Sequence, residues 1–208
     1  MFAEELAYQA SLFGLDEPAV DVEFGGLRRI ELDPFTWVDH APTWLAGSDH
    51  VFAELVARLP WNQRQVTMYG RRLDEPRLTW WWGGPAEGPE PLPVLRAARE
   101  VLSARYGKAF DSIGCNYYRN GRDSVAWHGD RIRHRLDRPL VASVSVGAPR
   151  PFLLRARGGG PSHTFLLGQG DLFVMGGDCQ HSWEHCVPKV GVAAPRLSIM
   201  FRHDMTAR

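Results

Sequence analysis

The 208-residue sequence has no excess of either charge and almost no lysine. Lysine plus arginine number 24, aspartate plus glutamate number 24, and the only lysines are Lys108 and Lys189. A formal net charge of zero excludes a uniformly basic nucleic-acid-binding protein, although charge can still be distributed unevenly over the surface. The predominance of arginine is typical of GC-rich coding DNA and by itself indicates no function.

Cysteine is scarce, and long apolar runs are missing. Cys115, Cys179 and Cys186 form no C-x-x-C pair, so neither a disulfide framework nor a zinc ribbon is indicated. The N-terminus is acidic and lacks the pattern of a signal peptide. No apolar run approaches the roughly 18 residues that would span a membrane. We therefore expect a cytoplasmic monomer that does not contact a membrane.

Length and composition favour one globular domain over residues 1–208. Apolar residues make up 44% of the chain, and the 21 glycines and 15 prolines favour a turn-rich β protein over a helical bundle. Within the domain we expect a leader over residues 1–20, an N-terminal region over 21–110 and a β core over 111–204.

Two helices and two strands are predicted in the N-terminal region. Apolar residues recur at helical spacing over 48–59, where Pro60 follows, and over 94–106, where Gly107 follows. The strands are predicted near 27–32 and 65–69.

After residue 110, short apolar runs alternate with turn signals. This pattern predicts a jelly roll or a sandwich, so the expected fold class is α+β, with N-terminal helices packed on a mainly β core. The strands are predicted near 112–118, 124–129, 140–146, 151–156, 163–167, 171–175, 183–187 and 195–202.

A His-x-Asp pair gives the first chemical signal. His128 and Asp130 are two residues apart, so on a strand both side chains share one face and can bind one ion. His185, in an alternating run that resembles a strand, is the expected third ligand, and His181, nearer to a turn, is the alternative. Two histidines and one carboxylate leave open positions on a metal, as in non-haem Fe(II) oxygenases.

The last predicted strand has an unusually polar face. This face carries Arg196, Ser198, Met200 and Arg202. If it points inwards, the arginines need anionic partners, which a small dicarboxylate would supply because arginine binds carboxylates in a bidentate manner. Asn116 and Tyr118 share one face of another strand, and both are neutral donors suited to completing a carboxylate site.

In the order N-x-Y, H-x-D, H and R-x5-R, these residues resemble the AlkB family of Fe(II)- and 2-oxoglutarate-dependent dioxygenases. The resemblance covers about residues 50–203. The segments that carry it are PRLTWWWGG (76–84), NYYRNGRDSVAWHGD (116–130), SVSVGAPRPFLLR (143–155), GDLFVMGG (170–177), WEHCVPK (183–189) and PRLSIMFR (195–202).

The resemblance implies a double-stranded β-helix, the jelly roll of this family, whose N-terminal region includes a substrate-recognition lid. The Fe(II) ligands would be His128, Asp130 and His185. Arg196, helped by Tyr118, would bind the distal carboxylate of 2-oxoglutarate. Asn116 and Arg202 would bind the carboxylate beside the keto group, and Ser198 would belong to the same site. With O2, such enzymes oxidise N-alkyl groups on nucleobases and release an aldehyde, succinate and CO2.

Alkylated DNA or RNA is therefore the expected partner. A base in a duplex must be flipped out to reach buried iron, and Trp81 and Trp82 are the expected stacking residues. Phosphates would contact a basic run, which Arg150 and Arg155 could extend. This run consists of Arg131, Arg133, His134, Arg135 and Arg138.

Two departures from the family pattern leave the target open. Ile132 stands where many repair members carry an acidic residue that contacts the base, and the lid matches poorly before residue 60.

Three alternative functions differ in target or in chemistry. The same iron chemistry could act on tRNA, protein or lipid. A non-catalytic jelly-roll module is disfavoured by the complete His-Asp-His set. A zinc hydrolase would not need the pair Arg196 and Arg202.

Overall fold

The computed structural model describes residues 17–68, 70–130, 136, 138–203 and 205. Its helices are α1 (Ser48–Arg58), α2 (Pro93–Tyr106) and α3 (Cys179–Ser182), with a short 3-10 helix at Pro85–Glu87. The strands are β1 (Ala19–Val20), β2 (Arg28–Asp33), β3 (Thr36–Ala41), β4 (Leu45–Ala46), β5 (Gln65–Met68), β6 (Arg71–Asp74), β7 (Leu78–Trp82), β8 (Phe110–Tyr118), β9 (Val125–His128), β10 (Val141–Gly147), β11 (Arg150–Ala156), β12 (Ser162–Leu167), β13 (Asp171–Gly177), β14 (Trp183–Val187) and β15 (Arg196–His203).

Two antiparallel sheets form the core. The larger sheet has seven strands in the order β2-β3-β13-β10-β15-β8-β7, and the smaller has four in the order β12-β11-β14-β9. The sheets meet through aromatic contacts such as Phe152 with Phe173, whose ring centroids are 5.2 Å apart. This arrangement confirms the predicted α+β jelly roll.

The outer face of the large sheet is covered by the two long helices. α1 packs against β10 and α2 against β8. Leu55 and Leu102 are fully buried in one cluster with Leu197, Ile199 and Phe201 of β15. Both helix predictions are confirmed, and Gly107, with φ of 62°, ends α2 as expected. None of the helices in the described part of the chain is long and apolar enough to cross a membrane.

The region before residue 110 contributes more strands than the sequence analysis predicted. β3 was not predicted, yet it lies between β2 and β13 in the large sheet. Gly176 lies opposite Trp37 there, and a Cβ atom at Gly176 would overlap the indole ring at 2.2 Å. β5 and β6 form a separate hairpin, and β1, from the end of the predicted leader, pairs with β4.

Alternation along β15 points its two faces in opposite directions. The apolar residues face the helices, whereas Arg196, Ser198, Met200 and Arg202 face the space between the sheets. The same register places Asn116 opposite Ser198 and Tyr118 opposite Arg196. The inward-pointing polar face expected from the sequence is therefore present, and it lines the jelly-roll interior.

Candidate functional site

Three potential metal ligands converge on the inner face of the small sheet. His128, at the end of β9, lies opposite His185 of β14, and their ring centroids are 4.4 Å apart. Asp130 follows two residues after His128, and its Oδ2 is 3.9 Å from His185 Nε2. One ligand atom from each residue lies within 4.8 Å of those from the other two, so the three can share one ion.

The surroundings hold these side chains in the orientation and protonation state that bind a metal ion. His128 Nδ1 is 2.8 Å from the Ala126 carbonyl, which leaves Nε2 for a metal. Burial lowers the pKa of His185 to about 4. Burial, the largest single influence, would raise the pKa of Asp130, but the charge and hydrogen bond of Arg202, together with the neighbouring His185 and His128, outweigh burial and lower that pKa to about 2. At neutral pH His185 is therefore neutral and Asp130 ionised, and two imidazoles with one carboxylate suit Fe(II).

The alternative ligand His181 lies outside this cluster. It is exposed at the end of α3, and its Nε2 is 3.3 Å from the Leu136 carbonyl. The structure thus brings together His128, Asp130 and His185, as predicted, and leaves out His181.

Arg196 is a buried cation with unused donors. Its side chain is 1% exposed, and Nη2 donates to Ser145 Oγ at 2.5 Å. Its Nε and Nη1 have no hydrogen-bond partner among the described residues. Burial lowers the pKa of Arg196 to about 10, so the group is still charged at neutral pH. A buried guanidinium with two free donors calls for an anion, and the distal carboxylate of 2-oxoglutarate fits this requirement.

The other expected cosubstrate residues lie on β15 and the neighbouring β8, between Arg196 and the metal cluster. Ser198 Oγ is 2.9 Å from Ser143 Oγ, and Asn116 Nδ2 contacts Met200 Sδ at 3.6 Å. Arg202 Nη2 donates to Asp130 Oδ1 at 2.5 Å. The strand therefore places Arg202 at the metal end and Arg196 at the far end.

Trp81 lies beside Arg202, the arginine that is hydrogen-bonded to Asp130. It is 39% exposed, and the Arg202 guanidinium lies 5.7 Å from its ring centroid. Gly114 of β8 is directly opposite Trp81 in the sheet. A Cβ atom at Gly114 would come within 3.1 Å of both Trp81 and Arg202, so the absence of a side chain makes room for this contact.

Trp82 does not have the predicted substrate-facing position. As the next residue along β7 it points to the opposite face, is 3% exposed and packs in the core beneath α2. Its Nε1 donates to the Gly88 carbonyl at 3.0 Å. The prediction that Trp82 stacks on a base is wrong, because the alternation that exposes Trp81 buries its neighbour.

The expected phosphate-binding patch is only partly described. Arg131, Arg133, His134 and Arg135 lie outside the described residues, as does Ile132. Arg138 is exposed and 3.8 Å from Asp178.

The two arginines that were expected to extend this patch have other partners among the described residues. Arg150 is fully buried and bonded to backbone carbonyls. Arg155 pairs with Glu184 and lies over Trp127. Because Glu184 neighbours His185 on β14, Arg155 lies on the face of the small sheet opposite the metal cluster.

Several residues of the site were missed by the sequence analysis. Ser143 and Ser145 line the interior, and their alternation with apolar residues over 143–146 could have indicated this. Gln180 is 3% exposed, and its Oε1 accepts a weak hydrogen bond from the Asp130 backbone N–H at 3.4 Å. Nothing in the local sequence pattern singles out Gln180, because its contact depends on the packing of α3 against the metal-binding segment.

Comparisons with known proteins point to one family. The sequence model of the 2OG-Fe(II) oxygenase superfamily matches residues 46–202. The human alpha-ketoglutarate-dependent dioxygenase alkB homolog 3 is 32% identical over 210 residues, which covers 89% of this chain and 73% of the relative. The cattle protein of the same name is 33% identical, and this chain spans 66% of its length. The human DNA oxidative demethylase ALKBH2 is 30% identical over 179 residues, 76% of this chain and 69% of the relative.

Solved structures support the fold. OsALKBH1 matches with a TM-score of 0.52 and 16% identity, covering 85% of this chain and 100% of that one. An oxidoreductase of the 2OG-Fe(II) oxygenase family from Burkholderia pseudomallei matches with a TM-score of 0.52 and 17% identity, covering 76% of this chain and 78% of that one. At these identities the likeness shows a shared jelly-roll fold.

Proposed function

Because the chain belongs to the AlkB family of Fe(II)- and 2-oxoglutarate-dependent dioxygenases, enzymes of the oxidative demethylase type, we propose that it removes N-alkyl groups from nucleobases in DNA or RNA. Its cofactor is Fe(II), and its cosubstrates are 2-oxoglutarate and O2. The proposal rests on the cluster of His128, Asp130 and His185 together with the buried Arg196, whose Nε and Nη1 have no hydrogen-bond partner among the described residues.

Fe(II), when bound, would supply the oxidation of the alkyl group by O2, coupled to decarboxylation of 2-oxoglutarate to succinate and CO2. We assign His128, Asp130 and His185 to the metal. Arg196, with Tyr118 beside it, would bind the distal carboxylate of the cosubstrate. Asn116, Ser198 and Arg202 would position the rest of the molecule, and Arg202 also fixes the orientation of Asp130.

The protein surroundings restrict what reaches the metal. The Phe152 ring stacks against His185 at 5.2 Å and packs on Phe173, so one side of the cluster is closed to water. Trp81 is partly exposed and lies beside Arg202. A flipped base stacked on Trp81 would present its N-alkyl group to the cluster. Hydroxylation of an N-methyl group gives an N-hydroxymethyl group, which releases formaldehyde and restores the base.

We further propose that residues 1–208 act as one dioxygenase domain, with residues 21–110 supplying the substrate lid and 111–204 the catalytic core. The sharing of one sheet by β2, β3 and β7 with the later strands supports a single unit. The cytoplasmic location and the monomeric state stay predictions.

The substrate is tested with oligonucleotides that contain 1-methyladenine, 3-methylcytosine or an etheno adduct. Each is supplied as single- and double-stranded DNA and as RNA, with Fe(II) and 2-oxoglutarate, and restored bases are counted by mass spectrometry. We expect repair of at least one methylated oligonucleotide. Decarboxylation of 2-oxoglutarate without repair of any of them would reject the repair of alkylated DNA or RNA and favour a non-repair target, such as a tRNA modification or a protein.

A further inference from the structure

Arg150 is a second fully buried arginine close to the proposed cosubstrate pocket. Its side chain is 1% exposed at the start of β11. Nη1 donates to the Asn120 carbonyl at 3.0 Å, and Nη2 donates to the carbonyls of Asp123 and Pro188 at 3.0 and 2.9 Å. These three acceptors carry no formal negative charge. Among the described residues, Arg150 Nε has no hydrogen-bond partner, and no carboxylate forms an ion pair with Arg150.

The guanidinium groups of the two buried arginines both lie near Tyr118. The Arg150 guanidinium lies 5.9 Å from the ring centroid of Tyr118, and that of Arg196 lies 5.5 Å from it. The carboxylate of Asp123 is near, but both its oxygens accept hydrogen bonds from Arg119, at 2.7 and 3.0 Å. The positive charges of Arg196 and Arg150 therefore lie together around Tyr118, in an interior where charges are weakly screened.

We propose that Arg150 is a positioning residue for cosubstrate selection, whose buried charge strengthens the hold of Arg196 and Tyr118 on the distal carboxylate. Arg150 would thereby make the enzyme prefer 2-oxodicarboxylic acids over 2-oxomonocarboxylic acids, without itself touching the cosubstrate. The inference rests on the proposed placement of that carboxylate at Arg196. If Arg150 only joined the segments around residues 120–123 and 188, its replacement would weaken the binding of 2-oxodicarboxylic and 2-oxomonocarboxylic acids equally, or weaken neither.

The test compares two ligands that differ only in the distal group. The full chain is loaded with Ni(II), which prevents turnover, and is titrated calorimetrically with 2-oxoglutarate and with 2-oxopentanoate, which has a methyl group in place of the carboxylate. The variants are Arg150→Gln, Arg150→Lys and Arg196→Gln. Arg122→Gln is the matched control, because it removes one positive charge from the exposed surface of the neighbouring loop.

We expect Arg150→Gln to weaken 2-oxoglutarate binding about tenfold and to leave 2-oxopentanoate binding unchanged, since one nearby buried charge contributes on this order. Arg150→Lys keeps the charge and should keep the preference for the dicarboxylate. Arg122→Gln should behave as the unaltered chain. Equal weakening of both ligands by Arg150→Gln, or no weakening of either, would overturn the inference.

The remaining variants separate the possible failures. If Arg150→Gln does not fold, Arg150→Lys decides alone, because a loss of dicarboxylate preference in a variant that keeps the charge contradicts the inference. If Arg196→Gln leaves the preference intact, the proposed placement of the distal carboxylate is wrong, and the inference falls with it. If Arg196→Gln removes the preference and Arg150→Gln does not, the placement holds and only the role of Arg150 is rejected.

Discussion

At the scale of single residues, Gly114 shows how a missing side chain shapes the site. Its neighbours Trp81 and Arg202 would each lie 3.1 Å from an added Cβ atom, closer than ordinary van der Waals contact. Arg202 is also tied to Asp130 through a 2.5 Å hydrogen bond, whereas the more exposed Trp81 has fewer restraints. An added methyl group should therefore displace Trp81 first.

We predict that Gly114→Ala raises the KM for a methylated oligonucleotide about tenfold and changes the KM for 2-oxoglutarate little, because small misplacement of a stacking group weakens substrate positioning. Steady-state kinetics with each substrate varied in turn measures the effect. Gly191→Ala is the matched control, because nothing lies within 4 Å of a Cβ atom there. An unchanged oligonucleotide KM in Gly114→Ala would show that Trp81 does not contact the base.

The neighbouring tryptophans give a second prediction. Trp82→Phe should lower the free energy of unfolding by about 1–2 kcal/mol, because it removes a buried hydrogen bond and part of a core side chain, and it should leave the oligonucleotide KM unchanged. Trp81→Phe should change the free energy of unfolding little, since this side chain is half exposed, and it should raise the oligonucleotide KM. Urea denaturation and kinetics on both variants check the pair. A large KM change in Trp82→Phe with normal stability would contradict the assignment of Trp82 to the core.

The site was predictable from the sequence where the signal is local. His128 and Asp130 are two residues apart, and the residues from Arg196 to Arg202 alternate on one strand, so strand periodicity alone groups them. The choice between Trp81 and Trp82 was not predictable, because periodicity says that they face opposite ways but not which face is the interior. The positions of Arg150 and Arg155 depend on which side of the small sheet is covered, which is a tertiary property.

At the scale of elements, β3 shows why one central strand escaped prediction. Its sequence places Asp39 and His40 in the middle of the strand, so it lacks an apolar run. In the structure Asp39 is 1% exposed and accepts hydrogen bonds from Arg29 at 2.7 and 2.8 Å and from Tyr106 at 2.9 Å. These partners come from β2 and α2, so the burial of Asp39 depends on contacts that a local pattern does not contain.

The attachment of α2 gives a prediction at this scale. Glu90 accepts hydrogen bonds from Arg99 and Arg96 on the helix, at 2.8 and 3.1 Å, and its side chain is 4% exposed. Burial by itself raises the pKa of Glu90, but hydrogen bonds to its own backbone N–H and to Arg99 and Arg96 outweigh burial and lower the pKa below its ordinary value of 4.5. The ionised carboxylate therefore stabilises the fold above that value, and the stabilisation is lost as the pH falls through the lowered pKa.

We predict that Glu90→Gln lowers the free energy of unfolding by about 1 kcal/mol at neutral pH, and that the difference from the unaltered chain shrinks towards pH ~3. Urea denaturation at both pH values measures it. Glu100→Gln, on the exposed side of the same helix, should have little effect at either pH. A difference that stays constant with pH would mean that the charge of Glu90 does not attach the helix.

At the scale of the whole molecule, the fold explains how a chain with zero net charge can bind an anionic cosubstrate. The positive charge that matters is concentrated inside the jelly roll, where Arg196 and Arg150 are both 1% exposed, and it is balanced elsewhere on the chain. The jelly-roll class was predictable because short apolar runs and turns recur regularly after residue 110. The joining of early strands to the large sheet was not, since strand order is set by packing between distant segments.

The proposed function rests on the cluster of His128, Asp130 and His185, which would bind the Fe(II) for nucleobase dealkylation coupled to decarboxylation of 2-oxoglutarate. The most direct test measures formaldehyde and succinate together from Fe(II)-loaded protein acting on an oligonucleotide with 1-methyladenine, for the unaltered chain, His185→Ala and His181→Ala. We predict equal amounts of both products from the unaltered chain and from His181→Ala, and neither product from His185→Ala. Turnover that survives in His185→Ala, or that disappears in a correctly folded His181→Ala, would contradict the claim.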